Sequence, residues 1–207
     1  RAAGGLCVSG GSCASNRGVG LVGWVQAVDG DGGRDRTSEA VYIWDGYTAE
    51  RAAAAEGTGN PNDFARRAFE AFRQGREDIA NGNDPSKHAR TALNAWEATV
   101  AVNVIHYVNG MQSALENVSG EVTKEKLDSP GGFEDSWGEA KAFAWALQFN
   151  DNSTLNDDQL RTIHDQLGND PPYGEGVDSS TYSGDLDKVK EEIQGAYSFE
   201  DANVSAW

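Results

Sequence analysis

The sequence predicts an all-α protein, a helical bundle of about five or six helices behind a glycine-rich, irregular N-terminal arm. Three observations carry that prediction. Apolar residues recur at three-to-four spacing over several long segments; glycine and proline breaks such as "NGNDP" (81–85) and "SPGG" (129–132) separate those segments; and no alternating, β-branched run competes with them. The composition changes near residue 38. Residues 1–37 form the arm, and residues 38–207 form the helical domain.

In the arm, "VGLVGWVQAV" (19–28) is a short apolar run with two glycines, weakly favouring a helix. Cys7 and Cys13 flank "VSGGS", a loop short and supple enough to close in an oxidising compartment, so one disulfide is expected. Closing a loop of about seven residues would contribute about 2.4 kcal/mol. A metal site needs more ligands than "CVSGGSC" offers. "DGDGGRD" (29–35) sets Asp29, Asp31 and Asp35 in a calcium-loop-like order but lacks the fifth-position ligand and the closing bidentate acid, so a glycine-rich turn is expected there.

From Ser38, a suitable N-cap, "EAVYIWDGYTAERAAAAE" reads as an alanine-rich helix stopped by Gly57. "DFARRAFEAFRQGREDIANG" places Phe64, Ala68, Phe72, Gly75 and Ile79 on one side, with Gly82 as terminator. Asp84-Pro85 opens the next helix, because Asp accepts orphan amides while Pro sits where no donor is needed. Its stripe is Leu93, Trp96, Val100, Val104, Tyr107 and Met111, reaching about residue 116, a rod of about 48 Å.

After "SPGG", the run "FEDSWGEAKAFAWALQFN" (133–150) puts Phe133, Trp137, Ala140, Ala144 and Leu147 on one face and Gly138, Ala142, Trp145 and Phe149 on the next. A helix apolar on most sides is expected at the centre of a bundle. "NDDQLRTIHDQLG" directs Leu160, Ile163 and Leu167 inward before Gly168. A Pro- and Gly-rich loop then runs to about 184, and "DLDKVKEEIQGAY" closes the fold with Leu186, Val189, Ile193 and Tyr197 inward.

A net charge of −16 opposes nucleic acid and anionic membrane as partners, and no local basic patch stands out along the chain. No apolar run reaches the length of a membrane span, and Arg1 is expected to follow a processed leader.

Several short patterns occur in a telling order: Trp44, Gly46 and Tyr47 in "IWDGYTAER", "AFRQGREDI" (71–79), "IHYVN" (105–109), "SWGEAKAFAWALQFN" (136–150), "LGNDPP" (167–172) and the closing "AYSFEDANVSAW". Together they resemble an uncharacterised family of imelysin-like bacterial helical lipoproteins and secreted proteins, over about Val41 to Trp207. The resemblance implies an α-helical, extracytoplasmic domain with a distant kinship to proteins linked with iron acquisition or catalogued as peptidases. One departure stands out: the family motif carries a histidine ahead of its tryptophan and glutamate, where this chain has Asp135 and Ser136.

The candidate ligand-binding residues are therefore Trp44, His106, Trp137 and Glu139. Asp135 and Glu139, four apart on one helix face, are the candidate metal ligands, with Glu134 as an outer-shell group and calcium or iron as the ion; a dipole-stabilised first turn is the competing account. No cofactor is firmly implied. Glu139 lies in an otherwise apolar segment and would need Lys141, Arg76 or a metal as partner if buried. His88, His106 and His164 form no His-x₃-His pair, and no Gly-x-Ser-x-Gly or His-Glu-x-x-His motif occurs, so catalysis is disfavoured. The expected function is a non-catalytic extracytoplasmic module binding a protein partner or small ligand. The alternatives are a structural subunit of a surface assembly, through self-association, and an imelysin-like hydrolase.

Overall fold

The computed structural model describes residues 43–55, 58, 62–127, 132–174 and 176–207, excluding the side chains of residues 43–45. The expected Cys7–Cys13 disulfide, the Asp29/Asp31/Asp35 turn, the helix at 19–28 and the Trp44 side chain lie outside the described residues. Among the described residues eight helices follow in order: α1 (Ile43–Ala54), α2 (Phe64–Ala80), α3 (Ser86–Leu115), α4 (Lys124–Leu127), α5 (Phe133–Leu147), α6 (Asp157–Leu167), α7 (Ser179–Tyr197) and α8 (Asp201–Ala206). Six are long and two, α4 and α8, are single-turn elements absent from the sequence reading. The class is all-α, with no strand among the described residues. An isolated bridge between Glu121 and Asp178, flanked by Val122 N–H donating to Val177 O at 2.8 Å, is the nearest approach to one.

The central rod is α3, not the 133–150 run. Every residue from Glu97 to Ile105 is buried, so α3 has no solvent face over more than two turns. It packs against α1, α2, α5, α7 and α8, while α6 sits outside, against α5 and α7. Apart from Glu97 and Asn103, its buried stretch "EATVAVNVI" is made of small and β-branched residues that let neighbours close in from all directions. Leu93, expected in its stripe, is 54% exposed although Ala92 and Ala95 beside it are buried, so it lies on the solvent side of α3; Ile79, in the last turn of α2, is 57% exposed.

Local chemistry fixes the junctions. Asp63 caps α2 by accepting from Arg66 N at 2.9 Å, and Gly82, at φ +75°, takes the left-handed turn that follows it. Asp84 accepts from both the amide (3.0 Å) and the hydroxyl (2.6 Å) of Ser86, as the Asp-Pro signal predicts. Gly75 sits where a Cβ would meet the His88 Cβ at 3.3 Å, which holds α2 and α3 at close range. Asn156 and Gln159 form a capping box on α6. Asp178 caps α7 through Ser180 and Thr181, so that helix starts six residues before the expected Asp185.

Candidate functional site

α5 has two faces. Phe133, Ala140, Phe143, Ala144 and Leu147 are buried against α3, in keeping with the inward stripe read from the sequence. The second apolar face is in solvent: Trp145 is 57% exposed, with Gly138, Ala142 and Ala146 exposed beside it, and Phe149, in the turn just past the end of α5, is 79% exposed. This overturns the expectation that α5 is buried on most sides. Five elements pack round α3, and none of the described residues is left to cover the outer side of α5.

The candidate residues divide accordingly. Trp137 is half-buried and donates from Nε1 to Leu167 O at 2.9 Å, a carbonyl that also accepts from the Tyr182 hydroxyl at 3.2 Å. Lys141 does not partner Glu139. It donates to His164 O at 3.2 Å and Gly168 O at 2.5 Å, satisfying the open carbonyls at the end of α6. Trp137 and Lys141 therefore tie α6 to α5.

Glu139 is exposed, contrary to the burial that would have forced a partner on it, and makes no ion pair among the described residues. Solvent hydrates its charge directly. Asp135 is exposed on the same face, and Glu134 pairs with Lys124 at 3.0 Å instead of standing behind a metal. Among the described residues, no three His, Cys, Asp or Glu side chains are placed to hold a metal ion. Asp135 and Glu139 thus remain a two-carboxylate pair.

His106 sits between Trp207 and Tyr107. Its Nδ1 lies 3.1 Å from the main-chain oxygen of Trp207, and its ring packs edge-on to Tyr107 at 4.9 Å. Burial, and secondarily the nearby Arg51 charge, push its pKa below the ordinary 6.5, so the ring is neutral at pH 7 with the proton assigned to Nδ1. Tyr107 stacks on Phe143 of α5 at 5.8 Å, and its hydroxyl is 3.5 Å from that of Tyr47 on α1. Arg51 is buried; Nη2 reaches Glu50 at 2.9 Å, while Nε and Nη1 have no hydrogen-bond partner among the described residues. Trp207 locks this corner: its indole N–H donates to Arg51 O at 3.1 Å and its ring meets Phe199 at 5.0 Å.

The sequence reading missed the principal buried charge. Glu97, 4% exposed, accepts from Ser153 Oγ (3.1 Å), Thr154 N (2.7 Å) and Tyr197 OH (2.6 Å) at Oε1 and from Asn150 Nδ2 at Oε2. One carboxylate thereby holds α3, the 148–156 connection and α7 together. Its signal was available: a lone acid in "AWEATVAV", the same criterion that singled out Glu139.

No helix among the described residues is long and apolar enough to cross a membrane. No protein-family model, curated protein or solved structure matches the chain.

Proposed function

We propose that this chain is a non-catalytic, extracytoplasmic helical module that binds a protein partner through the outer face of α5. The supporting observation is the solvent-facing pair Trp145 and Phe149, four apart, with exposed Ala142 and Ala146 alongside. Large aromatics left in water carry a transfer penalty of about 25 cal/mol per Å², and aromatic side chains supply the energetic centres of interfaces. The extracytoplasmic part of the reading rests on the family resemblance and on the disulfide expected between Cys7 and Cys13.

Charge defines the partner. Asp135 and Glu139 stand toward the N-terminal end of the same helix. The matching surface is an amphipathic segment, apolar along one side and basic at one end. A second copy is a poor occupant, because it would bring the same acids and another −16 of net charge to the face.

The test is titration with a synthetic Leu/Lys amphipathic helical peptide and with its Leu/Glu counterpart. Saturable binding of the basic peptide, absent from the acidic one and lost in the Trp145→Ala/Phe149→Ala variant, is expected. Binding indifferent to that variant, or a concentration-dependent dimer in sedimentation that the variant abolishes, would overturn the reading, the second outcome assigning the face to self-assembly.

A further inference from the structure

We infer that the groove between α2 and the first turns of α3 is a binding site for a small oxyanion-bearing ligand, one carrying phosphoryl or several carboxylate groups. This site lies on other elements than the α5 face and does not depend on it.

Eight of the thirteen described lysines and arginines are committed, and the other five fall in one stretch of the chain. Outside residues 66–90, every described lysine or arginine side chain donates to an oxygen: Arg51 to Glu50, Lys124 to Glu134, Lys126 and Lys141 to carbonyls, Arg161 to Asp158, Lys188 to Asp185 and Lys190 to Gln112. Within 66–90 only Arg73 does, bridging Glu70 and Glu77. Arg66, Arg67, Arg76, Lys87 and Arg90 form no ion pair among the described residues. Three of these five, Arg66, Arg67 and Lys87, line one groove of about 540 Å³, a volume within the range of small-molecule sites. The local basic patch that the linear sequence did not reveal is therefore formed by two helices meeting.

Two acids, Asp63 and Glu70, share the groove and leave its three cations in excess. Asp63 is engaged in capping α2, and Glu70 is held by Arg73 at 3.0 Å. His88, on the groove's edge, is turned to Asp78 at 3.2 Å. Arg67 is further positioned over the Phe64 ring, 5.9 Å from its centroid. Guanidinium groups present planar donor arrays suited to carboxylate and phosphate oxygens, and a lysine adds a mobile point charge. Three cations in one groove suit one ligand with two or more anionic groups rather than a nucleic-acid backbone, which the remaining surface repels.

Isothermal titration of the full chain with pyrophosphate and, separately, citrate tests the site. One saturable site is expected for at least one of them. Arg66→Gln/Lys87→Gln should weaken it at least about tenfold and flatten its salt dependence, since each lost charge-assisted bond is worth that factor or more. Arg161→Gln, an exposed arginine elsewhere, should leave affinity unchanged. Both groove positions are exposed, so thermal melts should superimpose on those of the parent. Pyrophosphate alone binding assigns phosphoryl chemistry, citrate alone polycarboxylate chemistry, and both the shared oxyanion chemistry. No saturation up to about 1 mM of either, or a loss of affinity equal in Arg161→Gln, overturns the inference.

Discussion

Tyr197→Phe removes one oxygen from the molecule and tests whether Glu97 clamps the fold. The tyrosine hydroxyl donates to Glu97 Oε1 at 2.6 Å, a short bond to an ionised acceptor, while the ring stacks on Phe199 at 5.3 Å and is untouched by the change. Hydrogen bonds to charged groups contribute about 1.5–3 kcal/mol. The lower end applies here, because Ser153, Thr154 and Asn150 still solvate the carboxylate after the hydroxyl is gone. A loss of about 1.5–2 kcal/mol follows, or about 3–8 °C in Tm for a chain of this size. In a Glu97→Gln background the same deletion removes only a neutral bond, costing about 0.5–1 kcal/mol, so the two sites should couple by about 1 kcal/mol. Urea unfolding of the four proteins gives the cycle, and hydrogen exchange at the Thr154 amide reports the clamp directly. A Tyr197→Phe cost below about 0.5 kcal/mol, or the same cost in both backgrounds, would refute the reasoning.

Acidification supplies a second check. His106 and His164 are held neutral by burial, with pKa values below the ordinary 6.5, and both ring nitrogens of His164 are buried without hydrogen-bond partners. The unfolded chain binds more protons than the folded one in that window, so the contribution is full above pH 6.5 and declines as pH falls below it; His164→Phe should flatten the decline measured by urea unfolding between pH 7.5 and 5, and an unchanged slope would count against it. Asp84 and Asp178, held below the usual carboxylate range by Ser86 and by Ser180 and Thr181 respectively, lose their contribution at lower pH still. Gly75→Val should destabilise by about 1–3 kcal/mol, since its Cβ alone would stand 3.3 Å from the His88 Cβ and the branches come closer; a variant as stable as the parent would show that α2 and α3 can part there.

The sequence showed the rods more clearly than their arrangement. α2 stops before Gly82 and α3 begins just after Asp84, as read, and of the α5 stripe Phe133, Ala140, Ala144 and Leu147 are buried while Trp137 is half-buried. Which rod is surrounded depends on how many neighbours reach it, a property of the assembled bundle. Trp and Phe on α5 raised its apparent centrality, whereas the small side chains of α3 let neighbours close round it on all sides. Glu97 and Glu139 make the same point in one residue type. Each is an acid in an apolar run, yet the first is enclosed with four donors and the second faces water. The α2–α3 groove was hidden because Arg66 and Arg67 lie some twenty residues from Lys87 along the chain. The start of α7 was obscured by the Pro- and Gly-rich stretch before Asp178, although the "DSST" cap signal was present.

Trp207 bears on how the protein is made. Its indole reaches Arg51 and its main-chain oxygen takes the His106 proton, joining positions separated by 156 and 101 residues. A ribosome delivers the chain vectorially, so α1, α2 and the middle of α3 emerge well before the residue that fastens them. During that interval Phe64 lacks its Phe199 and Trp207 neighbours, and the nascent bundle presents a seam that stays open until the segment from Phe199 to Trp207 arrives.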